Sequence, residues 1–158
     1  MFKILILMLS IMVTGLSADW RSSKKAGIKV FIPDGWSVKL KGDDLEARSP
    51  DKNVFLLLNV LDDNDDVYKE LEKAGKIVEK YHTSVQETKS PQMETVNDLS
   101  IAYMEGTAVT KKGNKSADWS VAATRNLKGL IIIIMATDGA QKKYEKELKE
   151  ILSSFQKI

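Results

Sequence analysis

An unbroken apolar run at residues 130–136, LIIIIMA, with four isoleucines in a row, constrains this chain more than any other feature. It is too short to span a membrane and is bounded by Gly129 and Gly139. Continuous rather than alternating hydrophobicity predicts a central strand covered on both faces. Asp138 follows as a candidate helix cap, with Gln141 three positions later in the capping-box place. Ala140, Tyr144, Leu148, Ile151, Leu152 and Phe155 then recur at helical spacing, opposite a lysine- and glutamate-rich face. Burying each large apolar side chain contributes roughly 1.5–3 kcal/mol, so this strand-turn-helix unit can anchor a fold.

The rest of the chain supplies what packs around it. Residues 19–26 are polar and predict a loose segment, and residues 28–32 read as a first strand stopped by Pro33-Asp34-Gly35. Residues 36–41 alternate apolar and polar, the pattern of a half-exposed strand, and residues 45–49 form a short third one. Residues 54–61 are a second continuous apolar run, again read as central. A helix is expected over 66–82, with Val67, Leu71, Ala74, Val78 and Tyr81 on its buried stripe. Residues 83–90 fit either a loop or an edge strand. Residues 92–96 and 99–109 form a hairpin through Asn97-Asp98, residues 111–115 turn again, and residues 117–125 are a strand.

Short turns between consecutive strands predict a mainly antiparallel sheet. Two doubly apolar strands and two amphipathic helices then imply an α/β fold: a three-layer α/β/α sandwich of about six to eight strands, one long helix on each face.

The amino-terminus predicts export. Lys3 precedes an apolar stretch at 4–13, and Leu16-Ser17-Ala18 ends it with small residues before Asp19. The apolar core is about half of the ~20 residues a transmembrane helix needs. Residues 1–18 are therefore read as a signal peptide, and 19–158 as one domain, with no transmembrane anchor after cleavage near Ala18. Lys3 is the only charged residue in the leader, so the mature chain is close to neutral. There is no cysteine, hence no disulfide framework and no thiolate chemistry. A periplasmic or secreted location follows as the expectation.

At this point the chain resembles a family. Ile32-Pro33-Asp34-Gly35-Trp36 looks like the strand-Pro-x-Gly-Trp opening of the PsbP/Mog1-like superfamily, including bacterial DcrB-like envelope proteins. Residues 97–102, NDLSIA, resemble that group's turn into its middle strands, with Asp98 departing from the expected glycine. Residues 144–155 are similar to its closing helix. The resemblance implies an α/β/α sandwich and binding, assembly or chaperone roles, and it brings no catalytic residues.

Reactive constellations are weak. Asp62, Asn64 and Asp66 have the spacing of an EF-hand's first ligands, but Val67 and Lys73 occupy the positions of its glycine and bidentate glutamate. A solvated, helix-capping acidic turn is the ordinary reading. His82 is the only histidine, which excludes a two-histidine metal site. No Gly-x-Ser-x-Gly elbow or phosphate-binding glycine loop is present. Gly106, alone within a strand, predicts relieved packing or a bulge.

No catalytic, cofactor or metal residue is assigned, and no cofactor is expected. The candidate contact residues are Trp20, an aromatic in a polar segment, and Lys111, Lys112 and Lys115, a basic hairpin tip facing solvent or an anionic partner. Without a concentrated basic stripe, a nucleic-acid partner is not expected. The functional expectation is a non-catalytic binding or accessory protein of the cell envelope, meeting a protein or small ligand. Alternatives are a chaperone- or immunity-type protein shielding a partner's apolar segment, and a carboxylate-dependent metal protein or enzyme.

Overall fold

A computed structural model describes residues 19–61, 66–124 and 130–158. The signal-peptide reading at 1–18 and the acidic turn at 62–65 lie outside the described residues. Among the described residues, ten strands and three helices follow in the order β1 (Asp19–Ser23), β2 (Ile28–Ile32), β3 (Ser37–Lys41), β4 (Asp44–Arg48), β5 (Val54–Val60), α1 (Val67–Tyr81), β6 (His82–Val96), β7 (Leu99–Thr110), β8 (Ser116–Thr124), β9 (Leu130–Thr137), α2 (Ala140–Lys143), α3 (Glu145–Ser153) and β10 (Gln156–Lys157). Seven strands form one sheet in the order β3-β4-β5-β9-β8-β7-β6, and β1-β2-β10 form a second, smaller sheet. Every pairing is antiparallel, as the short turns require.

The isoleucine run is β9, and it lies third from neither edge but at the middle of the large sheet, between β5 and β8. Ile131, Ile133 and Met135 project to one face, where Leu71, Ala74 and Val78 of α1 pack with Val121 and Trp119. Leu130, Ile132, Ile134 and Ala136 project to the other, against Tyr144, Leu148, Ile151 and Phe155. Both faces of β9 are buried, as its unbroken apolar character demands.

The expectation of one long helix per face needs correcting. α1 is the long helix on one face. On the other, the closing helix is two short pieces joined at Tyr144, whose φ of −102° and ψ of 17° interrupt the ladder. Tyr144 is buried there, edge-on to Trp36 with ring centroids 5.8 Å apart. Beside these pieces sits the small sheet, since residues 19–23, expected to be loose, pair along the whole of β2 from Asp19–Ile32 to Ser23–Ile28. Asp138 does not cap the helix: it has φ 53°, Gly139 is the cap residue without a side-chain bond, and Asp138 pairs with Lys115 at 2.6 Å instead.

Two strands also depart from their patterns. β5 buries Val54, Leu56, Leu58 and Val60, while Phe55 and Leu57 are only half-buried on the α1 side. β3 is the sheet edge, and its Leu40 is 61% exposed rather than inward. Leu152, assigned to the buried stripe of the closing helix, is exposed.

Candidate functional site

The two sheet faces are unequally covered. On the α3 side, the small sheet and α3 cover β3–β5 and the centre, and a groove runs beside α3 over β6–β8. Alternation in an antiparallel sheet puts Glu94 of β6, Ile101, Tyr103 and Glu105 of β7, and Ser120 and Ala122 of β8 on this same face. α3 stands beside them and presents Glu145, Leu148, Lys149 and Leu152. The result is a groove with two lobes of about 620 and 260 Å³ that share Glu105, Ser120 and Leu152.

Its floor is small and apolar: Ala122 and Ala136 keep the strands low, and Ile132 and Ile134 rise between them. Its rims are polar and held. Lys89 Nζ lies 3.0 Å from Glu105 Oε2 across the β6–β7 pair, and each carboxylate-facing ammonium is favoured in its charged form, so the Lys89 pKa is raised by this bond. On α3, Lys149 Nζ lies 2.5 Å from Glu145 Oε1, one helical turn away, and this bond lowers the Glu145 pKa. Tyr103 Oη is 3.0 Å from Glu94 Oε1 and 2.9 Å from Gln92 Oε1. Its bond to Glu94 raises the phenol pKa, since donation to a carboxylate stabilises the neutral hydroxyl. A concave surface with an apolar floor and fixed polar groups at its margin suits a bound ligand segment of mixed character.

One further strut closes the groove at its end. Asn97, at the β6–β7 turn, donates through Nδ2 to the carbonyls of Ser153 at 2.6 Å and Phe155 at 2.9 Å. It joins the hairpin wall to the carboxyl end of the helical wall. The turn itself is as expected, with Asn97 at φ 46° and Asp98 at φ 64°, both in the left-handed region that a tight two-residue hairpin needs. Asp98 serves where glycine was expected, because aspartate tolerates that conformation.

The residues singled out in the sequence lie elsewhere. Trp20 pairs with Phe31 across β1–β2, edge-on at 5.8 Å, beneath Lys29 Nζ at 4.9 Å, and remains 46% exposed. Lys111 Nζ donates to the carbonyls of Glu79 and Lys80, closing the carboxyl end of α1, and Lys115 holds Asp138. Lys112 is exposed at the same tip. His82 is buried, its Nδ1 3.1 Å from the Val78 carbonyl as the residue ending α1, far in role from any reactive partner. Asp66 caps α1 by accepting from Tyr68 N at 3.0 Å. Among the described residues, no three His, Asp or Glu side chains converge to hold a metal ion, and no helix is long and apolar enough to cross a membrane.

The groove residues come from β6, β7, β8, β9 and α3, and nothing in their local spacing marks them as a set. The one available signal was period-two polarity, Gln92 with Glu94 and Tyr103 with Glu105, which places polar groups on a face that should be apolar if covered.

This arrangement was compared with known proteins. No family model matches the chain, and no curated protein sequence matches it. Solved structures do. The cyanobacterial PsbP (CyanoP) of Synechocystis sp. PCC 6803 matches over 93% of this chain and 96% of its own, at a TM-score of 0.60 and 15% identity. The chain has the PsbP fold. LpqN of Mycobacterium tuberculosis, described as involved in cell envelope biogenesis, matches over 82% of both chains at a TM-score of 0.55 and 16% identity. A protein from Bacteroides thetaiotaomicron VPI-5482 matches over 90% of this chain at a TM-score of 0.59 and 12% identity. The chain spans about half, 49%, of that protein's length. At these identities the likeness is one of fold, and on this fold the groove lies where β6–β8 meet the closing helix.

Proposed function

We propose that this chain is an exported, non-catalytic accessory protein of the bacterial cell envelope that binds a protein segment or small ligand in the groove between α3 and β6–β8. The observation that carries the reading is the groove itself. Its floor is apolar, and four of the charges along it are tied to one another as Lys89–Glu105 and Lys149–Glu145, with Asp118 and Lys142 also on its lining. Such pairs shape and orient a bound segment, which favours recognition over reaction. The leader-like residues 1–18 support export, and the envelope role described for LpqN supports the compartment.

The test is site-specific photo-crosslinking in cells that express the chain with its own leader. A crosslinking residue at Leu152 or Ser120 is compared with one at Lys76 on the opposite face. The expected result is discrete adducts from the two groove positions alone, recovered with the envelope fraction, on a chain whose mass begins at or near Asp19. Adducts equally from Lys76, or a cytoplasmic full-length chain, would overturn the reading.

A further inference from the structure

The antiparallel topology gathers turns and helix ends at each end of the sheet. At one end lie the start of β4, the amino-terminus of α1 and the β6–β7 turn, where Asp43, Asp44, Asp66 and Asp98 are mixed with Lys41 and with Lys25, which pairs with Asp43 at 3.6 Å. At the other end lie the β4–β5 turn, the end of α1, the β7–β8 turn and the start of α2. Hydrogen bonds hold these four together: Lys111 N to Tyr81 O, Asp138 N to Ser116 O, and Thr137 N to Asn53 O.

This second end is basic. Its acids Asp138 and Asp51 are each already matched by a lysine, Lys115 and Lys143, at 2.6 Å. Set those pairs aside, and Lys52, Lys80, Lys111, Lys112 and Lys142 outnumber Asp34 and Glu79. All five of these lysines are exposed. Tyr81 stands among them, 49% exposed, with Lys80 Nζ 5.8 Å from its ring centroid. Lys111, bonded to the last carbonyls of α1, fixes the hairpin tip against the helix end and so sets Lys111 and Lys112 beside Lys80.

We propose that this basic pole is a docking face for an anionic lipid bilayer. The surface is built from turns and a helix terminus. Its cations are lysines, compact charges suited to the diffuse potential of anionic headgroups; arginine forks would suit individual phosphates better. Tyr81 has an apolar ring and a polar tip, the combination that settles at headgroup depth.

The experiment is co-sedimentation of the chain from Asp19 onward with phosphatidylcholine vesicles containing 0 or 30 mol% phosphatidylglycerol. Wild type is compared with K80Q/K112Q/K142Q, which removes three of the pole's five lysines, and with K24Q/K69Q/K157Q, which removes equal charge from other exposed positions; melts establish that all three are folded. Binding is expected only with phosphatidylglycerol and lost in 0.5 M salt, where screening shortens to a few ångströms. The pole variant should need about tenfold more lipid or worse, and the control about the same as wild type. Equal weakening of both variants would mean net charge alone acts and would overturn the proposal. So would indifference to phosphatidylglycerol, or tighter binding to heparin or duplex DNA than to the vesicles.

Discussion

A Cβ built on Gly106 would sit 2.0 Å from the Gln86 carbonyl oxygen and 2.3 Å from the nearest Trp119 ring atom. Trp119 pairs with Gly106 across β7–β8, and its Nε1 donates to the Thr107 carbonyl at 3.1 Å. Opposite, the β6 register shifts between Glu87 and Lys89, so the missing side chain admits both the indole and an irregular edge strand. Because one obstacle is backbone, Gly106→Ala cannot be absorbed by a rotamer change, and a loss of about 1–3 kcal/mol is expected from overpacking. Urea denaturation followed by tryptophan fluorescence checks this; a midpoint equal to wild type would refute the packing account. Asp51 offers a second residue-scale test. Its carboxylate accepts chiefly from Lys143, and also from Asn53 N and Ser49 Oγ, which holds its pKa well below the ordinary 3.8. A depressed folded-state pKa stabilises the fold above the unfolded value, and that contribution fades as pH falls from there through the folded value. The melting difference between wild type and Asp51→Asn should therefore be constant from pH 5 to 7 and narrow below about pH 4. A difference that grows on acidification would reverse the sign and sink the assignment.

Among elements, β9 and β5 look alike in sequence and differ in the structure. Ile132 is 2% exposed and Ile133 0%, on opposite faces. An aspartate at either position leaves a buried charge unmatched, a cost of several kcal/mol against a total stability of ~5–15. Both variants should fail to accumulate folded. In β5, Leu56 is wholly buried whereas Leu57 is half-buried at the margin of the cluster on the α1 side. Leu56→Asp should therefore be lost and Leu57→Asp recovered with a lowered melting temperature. Equal outcomes in β5 would show that the α1 face is covered further than its packing indicates. The difference also marks how far a sequence can be read. Apolar runs reveal which strands are central, and turn residues such as Asn97-Asp98 reveal the hairpins, since those signals are local. Full coverage of a second face depends on where a remote helix ends, and β5 carries no record of it. β1 was unreadable for the same reason: DWRSS has no strand pattern, and its order comes from pairing with β2. The break at Tyr144 follows from a ring packed against Trp36, more than a hundred positions away.

At the scale of the whole molecule, the groove exists because two walls distant in sequence are held at a fixed separation. The hairpin wall carries Glu94, Tyr103 and Glu105, and the helical wall carries Lys149 and Leu152. Asn97 spans them with its two bonds to Ser153 and Phe155. Asn97→Gly keeps a residue suited to φ 46° and removes only the strut, so the hairpin should persist. Two carbonyl oxygens then lose their donor, for a cost of about 1–3 kcal/mol in total. The consequence should be regional: amide exchange quickens in residues 148–155 while β8 and β9 keep their protection, because their core contacts are untouched. Asp98→Gly, one residue along and outside the strut, serves as the control and should leave exchange in 148–155 unchanged. If Asn97→Gly instead raises exchange throughout the sheet, the turn nucleates the fold and does not merely brace the groove. If it changes nothing, α3 is held by Ile151 and Phe155 alone, and the groove keeps its width without help from the hairpin.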